Sequence, residues 1–174
     1  MSRIRYVVAP SLDGLIAGPR GEFDWIVPDP AIDFAALFAQ FDTFLVGRRT
    51  FETMTGPNAP PLPAGARVFV FSRTLSRVPP GVTLVPEVTR DAVAAIRAQA
   101  KKDLWLFGGG ALFRSFLELD LVDTVEVAVM PVLVGGGLPL LPPPAPRARL
   151  RLTGHHVYPS GIVTLEYDVA REDR

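Results

Sequence analysis

A chain of 174 residues, 48% hydrophobic and 21% charged, can bury one sizeable core, and its composition excludes both general disorder and wholesale membrane insertion. Lys plus Arg and Asp plus Glu number 18 each, so the net charge is zero and no positive field is available to gather nucleic acid or anionic lipid. The absence of cysteine removes disulfides, thiolate metal ligands and a cysteine nucleophile, and it suits a cytoplasmic location.

Residues 3–9 form the first expected strand; the apolar stretch is too short for a signal sequence and runs into Asp13. Residues 31–41 read as a helix with Asp29 as N-cap, Pro30 at the first helical position and Phe34, Leu37, Phe38 and Phe41 as its apolar face. Residues 43–47 are a buried strand that runs straight into a short helix over 48–54, and 67–72 and 82–85 are further strands. Residues 89–101 carry Ala92, Val93, Ile96 and Ala100 at helical spacing, 103–107 are another buried strand, and 111–118 the next helix. Beyond Leu121 the pattern changes to a long strand over 122–134 and a hairpin of 147–157 with 162–169 across Tyr158-Pro159-Ser160-Gly161. The proline-rich stretches 57–63 and 139–146 are stiff connections within one domain spanning 1–174. Strands alternating with helices predict an α/β fold whose largely parallel sheet ends antiparallel.

Two strand-to-helix junctions carry the chemistry: Gly47-Arg48-Arg49-Thr50, and Phe107-Gly108-Gly109-Gly110-Ala111-Leu112. A strand that ends in a helix N-terminus presents unpaired N–H groups and the positive end of a dipole, which suits a phosphate. Glycine allows close backbone approach, and arginine adds a planar fork of donors. A third strand end, Ser72-Arg73, adds a hydroxyl and a cation fit for the 2′-phosphate that separates NADP from NAD. Each motif alone is equally well explained as a turn or a solvated helix end; the three in this order favour NADPH. The triple glycine is not a Rossmann fingerprint, because Phe113 fills the final small position and the motif lies late in the chain.

With those junctions, Val8-Ala9-Pro10-Ser11-Leu12-Asp13-Gly14-Leu15-Ile16-Ala17 and Met130-Pro131-Val132-Leu133-Val134-Gly135-Gly136-Gly137 complete a set spanning most of the chain. The chain resembles the dihydrofolate-reductase-like superfamily, and within it the C-terminal reductase domain of the bifunctional riboflavin-biosynthesis deaminase-reductase and its stand-alone relatives. The resemblance implies a three-layer α/β/α fold with a mostly parallel sheet of about eight strands and an antiparallel C-terminal hairpin. It implies NADPH as cofactor. The nicotinamide would lie near Ala9, Ile16 and Gly108-Gly109-Gly110, the pyrophosphate at Gly47 to Thr50 and at Ala111-Leu112, and the 2′-phosphate near Arg48, Ser72 and Arg73. It further implies a cis Gly108–Gly109 peptide.

Hydride transfer asks the protein mainly to position two rings and deliver a proton. Asp13 and Asp33 are the candidate acids, although Asp13 in Leu-Asp-Gly equally reads as a turn residue and Asp33 as a charge compensating a helix dipole. Trp25 and Phe34 are candidate acceptor-binding residues. His155 and His156 point to opposite faces of a strand, so no metal site is expected. The expected activity is reduction of a small pterin-like or pyrimidine-like acceptor, related to 5-amino-6-(5-phosphoribosylamino)uracil reduction. Dihydrofolate reductase activity and a non-catalytic NADPH-binding sensor are the alternatives. Residues 122–134 and the late hairpin serve either as core or as a homodimer surface.

Overall fold

The computed structural model describes residues 1–55 and 64–170; the expected proline-rich connection 57–63 lies outside the described residues. In chain order the elements are β1 (Ile4–Val8), β2 (Leu15–Ala17), α1 (Phe34–Phe38), β3 (Phe41–Gly47), α2 (Arg48–Met54), β4 (Arg67–Phe71) and β5 (Val82–Val85). They continue with α3 (Arg90–Gln99), β6 (Asp103–Gly108), α4 (Gly110–Glu118), β7 (Thr124–Val129), β8 (Leu138–Pro139), β9 (Arg149–Val157) and β10 (Val163–Ala170). Eight strands form one sheet in the order β5-β4-β3-β6-β1-β7-β10-β9, parallel except where β10 pairs with β7 and β9. This is the dihydrofolate-reductase-like architecture the motifs implied.

Period-2 alternation assigns the strand side chains to two cores, one on each face. Ile4, Tyr6, Leu45, Phe69, Phe71, Leu104 and Leu106 pack against Val93 and Ile96 of α3 and Phe113, Phe116 and Leu117 of α4. Their neighbours Phe44, Val46, Val68, Val70 and Trp105 face the other way, onto Leu37 and Phe38 of α1 and Phe51 and Met54 of α2. Trp105 anchors that second core; its Nε1 donates to the Val7 carbonyl at 3.0 Å, and its ring lies 4.8 Å from Phe41 and 5.0 Å from Phe38.

Three expectations are corrected. The first helix is five residues long, not residues 31–41, and Asp33, not Asp29, is its N-cap, accepting from Ala36 N at 2.9 Å. Asp29 is engaged elsewhere, accepting from Ala31 N and from Ser160 N in the late hairpin turn, and Phe41 opens β3 because its ring belongs against Trp105. The long strand 122–134 stops at Val129, after which Pro131 and the positive φ of Gly135 and Gly137 turn the chain back. Leu138–Pro139 then pairs antiparallel with β2 in a two-stranded sheet that periodicity did not predict. Of the proposed homodimer stretch, Val122 and Val125 are core, whereas Leu150, Leu152 and Val157 on β9 are exposed.

Candidate functional site

The strand order creates a divergence point. From β3 the chain crosses through α2 to β4 on one side, and from the adjacent parallel strand β6 it crosses through α4 past β1 to β7 on the other. The two helices leave on opposite faces, as their separate cores show. Between such diverging crossovers, beyond the carboxyl ends of the strands, an α/β sheet opens a crevice for ligands.

The residues at this edge are those the motifs singled out. Gly47 is the N-cap of α2 and Gly109 the N-cap of α4, and neither helix has a side-chain cap; at α4 Leu112 N turns back onto the Gly109 carbonyl at 3.0 Å, so the N–H groups ahead of it, at Gly110 and Ala111, are the ones suited to a ligand. The two junctions meet: a methyl built on Gly47 would stand 3.4 Å from the Gly108 carbonyl oxygen and 3.7 Å from Leu112 Cβ. Gly109 lies equally close to Ile16 Cδ1 and Thr50 Oγ1, each 3.7 Å from where its Cβ would be. Gly108 has φ of 111° and its peptide to Gly109 is cis. At Gly110 a Cβ would fall 2.6 and 2.8 Å from the backbone oxygens of Pro139 and Leu140, so only glycine lets the β8 segment pass over the start of α4. Ala9 directly follows β1, Phe107 is the next-to-last residue of β6, and Ala111 lies in the first turn of α4.

One strand further out, Ser72 Oγ accepts from Thr74 N at 3.2 Å and Leu75 N at 3.0 Å. Arg48 Nη1 donates to Thr74 Oγ1 at 2.8 Å while its Nε holds Glu52 at 2.7 Å. Arg48, Ser72 and Thr74 therefore form one cluster, with Arg73 and Arg49 exposed beside it. Both Arg48 and Glu52 are about half exposed, and a surface i,i+4 pair of that kind contributes roughly 0.3–0.5 kcal/mol, so Glu52 would be displaced from Arg48 at little cost. Thr74 closes the strand-end stretch Phe69 to Thr74 and is the member to which the motif alone gives no role; its hydroxyl two residues after Ser72 is the available signal.

Both candidate acids are engaged as hydrogen-bond acceptors. The Asp13 carboxylate accepts from Ser11 Oγ at 2.6 Å, Val134 N at 3.1 Å and Gly135 N at 2.8 Å. Those donors, Ser11 first, hold its pKa down at about 2. Asp33 is an exposed helix cap. Trp25 is half-buried, and its Nε1 is buried without a hydrogen-bond acceptor among the described residues. Phe34 is 51% exposed, one turn before Phe38, which packs on Trp105.

The side-chain-free surface at Gly47 and Gly109, the uncapped helix starts and the basic cluster fit a dinucleotide with a phosphorylated ribose. No described helix is long and apolar enough to cross a membrane.

Comparison with known proteins agrees with this architecture. The chain is 31% identical over 177 residues to the uncharacterized protein YyaP of Bacillus subtilis (strain 168), covering 95% of this chain and 94% of that protein. The crystal structure of a putative riboflavin biosynthesis protein from Shewanella sp. PV-4 superposes with a TM-score of 0.84 at 31% identity, over 98% of this chain and all (100%) of that one. A dihydrofolate reductase from Enterococcus faecalis, solved with NADP(H), shares the fold at a TM-score of 0.68 and 16% identity, over 97% of both chains. The family model described as the RibD C-terminal domain matches residues 3–164. The chain belongs to the RibD C-terminal domain family.

Proposed function

We propose that the protein is an NADPH-dependent reductase that transfers hydride to a C=N or C=O bond of a small heterocyclic acceptor, pterin-like or pyrimidine-like. The observation that carries this reading is the meeting of Gly47 with Gly108 and Leu112 at the divergence of two crossovers, with the Arg48–Thr74–Ser72 cluster one strand away. The family and the putative riboflavin role named for the Shewanella protein support it.

In this reading the first turns of α2 and α4, at Gly47 to Thr50 and at Gly110-Ala111, hold the pyrophosphate. Arg48, Ser72, Thr74 and Arg73 hold the 2′-phosphate, Arg48 through the planar fork that now engages Thr74 and Glu52. Ala9, Ile16, Phe107 and the triple glycine frame the nicotinamide. NADPH, when bound, would supply the hydride, and water would supply the proton that the acceptor nitrogen or oxygen takes up. Phe34 offers an apolar face to the acceptor, and the orphaned Trp25 N–H supplies a donor for a ring carbonyl.

The test is NADPH oxidation across a panel of pterins, dihydrofolate and aminopyrimidine intermediates. Turnover of one class is the expected result, and NADPH binding with no oxidation of any would leave a sensor role in its place.

A further inference from the structure

Asp13 sits where it can do more than close a turn. Its two carboxylate oxygens accept from two different loops: Oδ1 takes Ser11 Oγ and Val134 N, and Oδ2 takes Gly135 N, 122 residues further along the chain. The same two loops are joined on either side of it. Leu12 N donates to the Val132 carbonyl at 2.9 Å, Leu140 N donates to the Gly14 carbonyl at 2.9 Å, and Leu15 and Ala17 pair with Pro139 and Leu138. Ser11, 2% exposed, locks the near loop, since its hydroxyl donates to Asp13 and accepts from Leu15 N at 3.0 Å.

The two loops that Asp13 ties together are the ones that touch the triple glycine. Ile16, three residues beyond Asp13, places Cδ1 against Gly109, and the Pro139 and Leu140 carbonyls stand over Gly110. Asp13 is itself exposed, yet it makes three hydrogen bonds, all to donors that a neutral side chain would satisfy less well. A core or solubility role accounts for none of this arrangement.

We propose that Asp13 is a positioning residue for the nicotinamide half of the cofactor, acting through Ile16 and the 138–140 segment and leaving the adenosine half untouched. The proposal rests on the reductase reading above. The adenosine half has its own support in α2 and the Ser72–Thr74 turn, which among the described residues share no hydrogen bond with Asp13. Loosening the clamp therefore acts on one end of the crevice only.

The experiment compares binding of NADPH with binding of adenosine 2′,5′-bisphosphate, which carries the phosphorylated adenosine half alone, to the wild-type protein and to Asp13→Asn and Ser11→Ala. Both variants are expected to bind the bisphosphate as the wild type does and to bind NADPH about tenfold more weakly, the size of one charge-assisted hydrogen bond. Asp13→Glu, which keeps the charge, should recover part of the loss. Equal weakening toward both ligands would mean general damage and would overturn the proposal. Unchanged NADPH affinity in Asp13→Asn would overturn it while leaving the reductase reading intact. If the wild-type protein bound neither ligand, the reductase reading would fail first and the proposal with it.

Discussion

The two ends of the crevice are built differently. Around Gly108 to Gly110 the chain is over-determined: the Pro139 and Leu140 carbonyls crowd Gly110, Ile16 and Thr50 flank Gly109, and Asp13, held by Ser11 of its own loop, ties the covering loops together through two hydrogen bonds. At the other end, Arg48, Ser72 and Thr74 are held by a few exposed contacts that a phosphate can replace. On the proposed reading the rigid end would be preformed for a ring that must be placed accurately, and the loose end would gain its order from the anion bound there. Damage at the first end should therefore cost stability and binding together, and damage at the second should cost only selectivity.

The largest effect is expected from Gly110→Ala. A Cβ 2.6 Å from a backbone oxygen forces β8 away from α4, and overpacking of this kind costs about 1–3 kcal/mol, which in a domain of this size lowers the melting temperature by several degrees. A thermal melt checks the stability and a cofactor titration checks the expected loss of binding. An unchanged melt would show that β8 moves freely and that the end is not rigid.

Arg48→Ala should behave in the opposite way. Its ion pair with Glu52 is half exposed on both sides, so the melt should hardly move, while the preference for NADPH over NADH should narrow about tenfold through loss of a charged donor to phosphate. Arg73→Ala should narrow it as well, and an unchanged ratio in either variant would remove that arginine from the site.

Acid should separate the ends too. The Asp13 carboxyl titrates near 2 in the folded protein against a usual 3.8. A depressed folded value means that its contribution is complete above about pH 4 and is lost as the pH falls through about 2. The wild type should thus lose stability over that window more steeply than Asp13→Asn, and acid melts of the two proteins read the difference. Parallel curves would mean that the clamp does not hold the loops. The smallest effect on the fold is expected from Phe34→Ala: at 51% exposure the stability change should stay within about 0.5 kcal/mol, while the KM of any acceptor rises.

How much of this could be read from the residues follows the same division. The strands β3, β4 and β6, the glycine junctions and the Arg48–Ser72 grouping were legible because each is a local run with its own signal: a buried apolar stretch, then glycine, then a helix start. What escaped was settled by distant partners. Asp13 reads as a turn residue or an acid until Val134 and Gly135 are seen to donate to it. The β2–β8 pair is too short for any periodicity to register. The first helix is shorter than its pattern predicts because Asp29 divides its capping chemistry between Ala31 N and the distant Ser160 N, and because the Phe41 ring pairs with Trp105 from a strand.

The central claim, that glycine junctions from two diverging crossovers hold an NADPH molecule, is tested most directly by the thermal shift each nicotinamide cofactor produces. A ligand that binds only the native state stabilises it by mass action, by about 2.7 kcal/mol at a hundredfold excess over its Kd. NADPH should raise the melting temperature clearly and NADH much less at the same concentration; equal shifts, or none with either, would contradict the account.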